Sequence, residues 1–157
     1  MKREPKPIAD KKQAVNYSLR LLLMRDYSSA MIAEKLRLRH CGEDIIKETV
    51  DELSASGYID DRDYAARLVK SMVNFRKKGI KYIEYELKRK GIEEDIIREV
   101  LEENYVSSID EAVSGILKKY PQPFEELDYK ERNKIINKLL RMGYSYSEIT
   151  DSIRGMN

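Results

Sequence analysis

One apolar pattern occurs three times in this chain, and no other feature limits the fold as tightly. Ile32, Leu36, His40, Ile46 and Val50 are matched by Ile83, Leu87, Gly91, Ile97 and Leu101, and again by Ile135, Leu139, Gly143, Ile149 and Ile153. The offsets are the same in every copy, and the copies lie 51 and 52 residues apart. A fixed period of this length is the mark of stacked supersecondary units, none of which can bury its apolar face alone. Within a copy the first two apolar positions are one helical turn apart, a break follows, and the last two are again one turn apart, which describes helix, tight turn, helix. Another helically periodic stretch precedes each pair, at 14–24, 64–75 and 109–120. No segment alternates as a strand does. The expectation is an all-α, elongated tandem array of three three-helix repeats, about nine helices, divided as 9–57, 58–106 and 107–157, behind a basic disordered arm at 1–8.

Local signals agree with this. Glycine at the break suits a residue just past a helix end, where the left-handed conformation costs glycine little. His40 stands there in the first copy, so the first break is expected to differ in geometry, with Gly42 taking the turn. Asp60 with Asp63, Ser108 with Glu111, and Ser145 with Glu148 each read as a helix N-cap followed three residues later by an acid. Pro121 and Pro123 force a longer break inside the third unit.

Composition removes several classes of protein. Apolar residues make up 41% and charged residues 37%, with a mean hydropathy of −0.64, so much of each helix must show charge to water. The longest apolar run is Leu21 to Met24, far short of the ~18 residues of a membrane helix. Two prolines by position 7 and no apolar stretch after them argue against a secretory signal. A lone cysteine, Cys41, makes no internal disulfide, and the expected location is a reducing cytoplasm. With one histidine beside that cysteine there is no zinc set and no Cys-His nucleophile with an orienting third group. Phosphate-loop, dinucleotide and zinc-protease motifs are missing, so neither a catalytic residue nor a cofactor is expected. Acids such as Glu93, Glu94 and Asp95 directly follow a turn, where they complement a helix dipole.

The net charge of +2 hides a segregation. Residues 1–61 carry 11 charges of each sign and are neutral. Residues 62–91 hold ten bases (Arg62, Arg67, Lys70, Arg76, Lys77, Lys78, Lys81, Lys88, Arg89, Lys90) against three acids. Residues 92–128 reverse this with 11 acids and three bases, and 129–157 return to six bases and three acids. Neighbouring helices of opposite sign attract each other or simply face water; the same layout also makes an anion-binding surface with acids set apart from it. Lys134, Lys138 and Arg141, at helical spacings of four and three, share one face and extend the basic set. Tyr82 and Tyr85, close to Lys81 and Lys88, either pack or stack on unpaired bases.

Four segments now carry a resemblance: GYIDDRDYA at 57–65, KGIKYIEYELKRKGI at 78–92, LLRMGYSYSEI at 139–149, and the leucine-rich YSLRLLLMRDYSSAMIAEKLRL at 17–38. Taken in order and at their spacing, they resemble the RecX family, regulators of the bacterial recombinase RecA, over about residues 14 to 154. Three departures stand out: Ile80, Lys81 and Tyr82 follow Gly79 where the family often has proline and bases, Met142 replaces a base, and His40 replaces glycine. The resemblance implies a monomeric protein without catalytic activity that binds the RecA filament on single-stranded DNA. It also implies suppression of ATP hydrolysis, strand exchange and coprotease function in recombinational repair and the SOS response. The thirteen bases named above are then the expected filament- or DNA-binding residues. The competing reading is a helical DNA-binding or adaptor protein acting without RecA. A helix-turn-helix reader would need a basic recognition helix, whereas the third helices here are acidic (Glu43, Asp44, Glu48, Asp51, Glu52; Glu93 to Asp95, Glu99, Glu102, Glu103).

Overall fold

The structure, a computed structural model, describes residues 6–156. Among these the chain forms nine α-helices and no strand: α1 Lys11–Met24, α2 Ser29–Arg37, α3 Glu43–Ala55, α4 Asp61–Asn74, α5 Ile80–Arg89, α6 Glu94–Asn104, α7 Ile109–Leu117, α8 Tyr129–Arg141 and α9 Tyr146–Gly155. A short 3-10 turn at Phe124–Glu126 fills the proline-marked break before α8. The apolar pattern is the core. Ile32, Leu36, Ile83, Leu87, Leu139 and Ile149 have no exposed surface, and of the twelve apolar repeat positions only Val50 is half-buried rather than buried.

Two of the three expected caps form. The Asp60 carboxylate accepts the Asp63 N–H at 2.9 Å, and Ser145 with Glu148 makes a reciprocal capping box. Ser108 departs from expectation: its hydroxyl does not cap α7 but meets the Tyr144 hydroxyl at 3.1 Å. Tyr144 is buried at 1% exposure and donates its proton to the Lys77 carbonyl at 2.7 Å. A phenol has one proton, so Ser108 must be the donor to Tyr144.

The break after each middle helix is left-handed in all three copies: φ is 54° at His40, 73° at Gly91 and 98° at Gly143. The first break therefore does not differ as expected. Gly42 sits at φ −67° as the N-cap of α3, and the histidine itself adopts the turn. What changes between copies is the surroundings. A Cβ on Gly91 would lie 2.3 Å from the Ala30 Cβ, and one on Gly143 would lie 2.5 Å from the Tyr82 backbone nitrogen. His40 is exposed. Glycine is thus required where the preceding repeat packs on the turn, as Ala30 does at Gly91 and Tyr82 at Gly143.

The contact that brings the predecessor so close recurs at the same register. Ser28, the N-cap of α2, donates its hydroxyl to the Lys90 carbonyl at 2.6 Å; Gly79, at the start of α5, donates its N–H to the Met142 carbonyl at 2.8 Å. Each acceptor directly precedes a turn glycine. In the first repeat the equivalent carbonyl, Arg39, accepts the Ile8 N–H at 2.9 Å, and the Arg39 guanidinium reaches back to the Lys6 carbonyl at 2.6 and 2.8 Å. Ile8 is buried in the first core cluster with Ala14, Ile32 and Leu36. Against the expected disordered arm, Ile8 is buried and the Lys6 carbonyl is bonded where a preceding repeat would be, although the Lys6 and Pro7 side chains are exposed; residues 1–5 lie outside the described residues.

By packing, the chain divides into two compact units, the described parts of Met1–Ala65 with Lys88–Ile96, and of Ala66–Leu87 with Ile97–Asn157. The second set of helices contributes to both, as the two clasps require: Lys90 belongs with Ser28, and Gly79 with Met142. We propose the boundaries at 57/58 and 106/107 as limits of the repeated sequence rather than of packing.

Candidate functional site

In the second unit, Arg67, Lys70, Arg76 and Lys81 are exposed, as are Lys134, Lys138 and Arg141 along one flank of α8, beside buried Ile135 and Leu139. Lys77 and Lys78 are engaged within the fold. Lys77 has φ 51°, gives its carbonyl to Tyr144, and pairs its ammonium with Glu111. The Lys78 ammonium rests 4.1 Å from the Tyr82 ring centroid. Burial, then the nearby charge of Arg76, lowers its pKa from the ordinary lysine value. Tyr82 is thereby committed to packing, while Tyr85 and Phe75 stand 62% and 83% exposed and remain open to a stacking partner.

Arg62, Lys88, Arg89 and Lys90 fall in the first unit. Lys88 pairs with Glu94 at 3.4 Å across the α5–α6 turn. The same staple joins Arg37 to Glu43 at 2.7 Å across the α2–α3 turn, 51 residues earlier, and the bonded guanidinium holds the Glu43 carboxyl below its ordinary value. Lys88 to Lys90 line a shallow groove of about 490 Å³ together with Arg25, Lys35, Arg37, Glu34, Ala30, Met31 and Gly91. Six bases surround one acid.

Three of those bases, Arg25, Lys35 and Arg37, lie within residues 1–61, which are neutral overall, so the charge balance of that stretch does not single them out. The clasp between Ser28 and Lys90 and the close approach of Gly91 to Ala30 set α2 beside the end of α5. A signal did exist, in that Lys35 with Arg37 and Lys88 with Arg89 occupy equivalent last turns. Bases there complement the negative end of a helix dipole, which accounts for four of the six. Arg25, stacked 4.5 Å from the Tyr27 ring, and Lys90, beyond the end of α5, are not explained by it.

Such surfaces can hold anions by charge and hydrogen bonds. Among the described residues no group of histidine, cysteine or carboxylate side chains is placed to hold a metal ion. Cys41 is buried, and that burial pushes its thiol up, away from the thiolate a nucleophile needs.

Comparison with known proteins decides the family. Residues 14–53 match the model of the first RecX three-helix domain and residues 60–101 that of the second. A Chlorobium phaeobacteroides protein named regulatory protein RecX is 33% identical over 144 residues, covering 92% of this chain and 93% of its own. The chain belongs to the RecX family. The Haemophilus influenzae regulatory protein RecX is 30% identical over 141 residues, with 89% and 92% covered. The crystal structure of RecX from Lactobacillus salivarius superposes with a TM-score of 0.79 at 29% identity, covering 93% of this chain and 96% of that one. The all-helical RecX architecture is thus common to this chain and a solved relative. Among the described residues no helix is long and apolar enough to cross a membrane.

Proposed function

We propose that this chain regulates the RecA recombinase without catalysis of its own, by binding the RecA filament on single-stranded DNA in the cytoplasm. The outcome is inhibition of ATP hydrolysis, strand exchange and coprotease activity. The observation that carries the reading is likeness to regulatory RecX proteins along nearly the whole length of both chains. The distribution of charge supports it. Each unit presents its own basic group, so binding sums several modest contacts rather than depending on one deep pocket. A filament offers protein surfaces as well as phosphates. The acid-rich starts of α3 and α6 oppose entry of either helix into a duplex groove.

The test is inhibition of single-strand-dependent ATP hydrolysis by RecA, measured as the DNA is raised severalfold above this protein. The expected result is inhibition that persists. It should be lost in the triple variant Arg76→Glu, Lys81→Glu, Lys138→Glu, all exposed positions, with helicity and melting unchanged. Relief of inhibition in proportion to bare-DNA affinity would reduce the mechanism to competition for DNA and end the filament reading.

A further inference from the structure

The groove of the first unit is the strongest feature that the sequence did not reveal. Its cations come from three places: Arg25 after α1, Lys35 and Arg37 in the last turn of α2, and Lys88 to Lys90 at the end of α5. The Ser28–Lys90 clasp and the contact of Gly91 with Ala30 fix these pieces against one another. We propose that this groove binds the phosphodiester backbone of one nucleic-acid strand without reading its bases.

The lining favours that ligand over an acidic polypeptide. A protein ligand draws its affinity from apolar and aromatic anchors buried in pockets. Here the only apolar side chains in the lining are Ala30 and a half-buried Met31 whose sulfur accepts the Tyr64 hydroxyl at 3.6 Å. A phosphate chain needs only positive charge and gains from counterion release. No aromatic ring lines the groove, so bases cannot stack in it, and binding is expected to be indifferent to sequence. Glu43 and Glu94, bonded to Arg37 and Lys88 at the groove's edges, repel further phosphates, which favours one strand over a duplex. Arg37 and Lys88 already serve as staples. Arg89 too has a partner within the fold, so Arg25, Lys35 and Lys90 are the residues assigned to phosphate contact.

This deepens the regulatory reading, since single-stranded DNA is the strand such a protein would meet, yet its test needs no RecA. Anisotropy of a labelled oligothymidylate is followed against the full chain over a range of salt concentrations. Against wild type, the variant Arg25→Ala, Lys35→Ala, Lys90→Ala is expected to bind at least ~10-fold more weakly. Its log-log salt slope should be shallower by about 2, three contacts at ~0.7 each. The charge-preserving variant Arg25→Lys, Lys35→Arg, Lys90→Arg should bind as wild type does, and melting curves of all three report folding. Unchanged affinity and slope in the alanine variant, or no binding by wild type at low salt, would overturn the proposal. So would loss of poly-glutamate binding in a variant that keeps the oligonucleotide, which would assign the groove to acidic polypeptides. RecA ATPase inhibition measured on the same proteins keeps the two readings apart: a variant that loses oligonucleotide binding and still inhibits leaves the groove standing without the filament role.

Discussion

Replacing Gly91 by alanine tests whether the preceding repeat is what makes glycine necessary at the turn. Two penalties are expected. The left-handed φ of 73° costs an L-residue about 1–2 kcal/mol. The new methyl would stand 2.3 Å from the Ala30 Cβ, an overlap that forces a shift costing typically ~1–3 kcal/mol. Gly91→Ala alone should therefore destabilise by about 2–5 kcal/mol. Ala30→Gly removes the obstructing methyl and leaves the Ala30 Cα at 3.8 Å from the new atom, an ordinary contact. On its own that change costs at most ~1 kcal/mol, as glycine does within a helix. In the double variant the backbone strain remains and the overlap is gone, so the cycle should show a favourable coupling of about 1–3 kcal/mol. Urea unfolding followed by circular dichroism gives each value, with a common slope confirming that stability alone has changed. His40→Ala is the control and should shift stability by less than ~1 kcal/mol, because that turn already carries a Cβ at φ 54°. A double variant no more stable than Gly91→Ala, or a cost at His40 equal to that at Gly91, would refute the argument.

Ile8→Ala removes the buried side chain of the segment that substitutes for a preceding repeat and should cost about 2–5 kcal/mol; an unchanged unfolding midpoint would show that Lys6 to Ile8 close nothing. The buried Tyr144 phenol has its pKa pushed from 10.0 up to about 12, chiefly by burial, so the native state keeps the proton that the unfolded chain releases. That contribution is complete below pH 10 and is lost as pH rises to about 12, a decline of up to ~3 kcal/mol. Tyr144→Phe should be less stable at neutral pH by ~1–2 kcal/mol, having left the Lys77 carbonyl and Ser108 hydroxyl unpaired, and should show a smaller decline; parallel pH profiles would refute it.

What was legible in the sequence is what local chemistry decides. Apolar spacing set the helical faces, Asp60 and Ser145 marked helix starts through their own backbone geometry, and Gly91 and Gly143 marked left-handed turns, because each depends on residues within a turn or two of the chain. The 51-residue period multiplied those local signals into nine helices and a core containing Leu36, Leu87 and Leu139. Tertiary structure alone decided the rest. Ser108 reads as a cap but is taken by Tyr144, 36 residues away. His40 reads as a defect yet tolerates its turn, since the steric demand at Gly91 comes from Ala30, in another repeat. The basic groove is of the same kind: Arg25 and Lys35 belong to a neutral stretch, and their charge acquires meaning only when a hydroxyl of Ser28 reaches the carbonyl of Lys90 across 62 residues. Electrostatic fields add in space and not along the chain, so charge counted in sequence windows locates the bases of 62–91 and overlooks those that folding sets beside them.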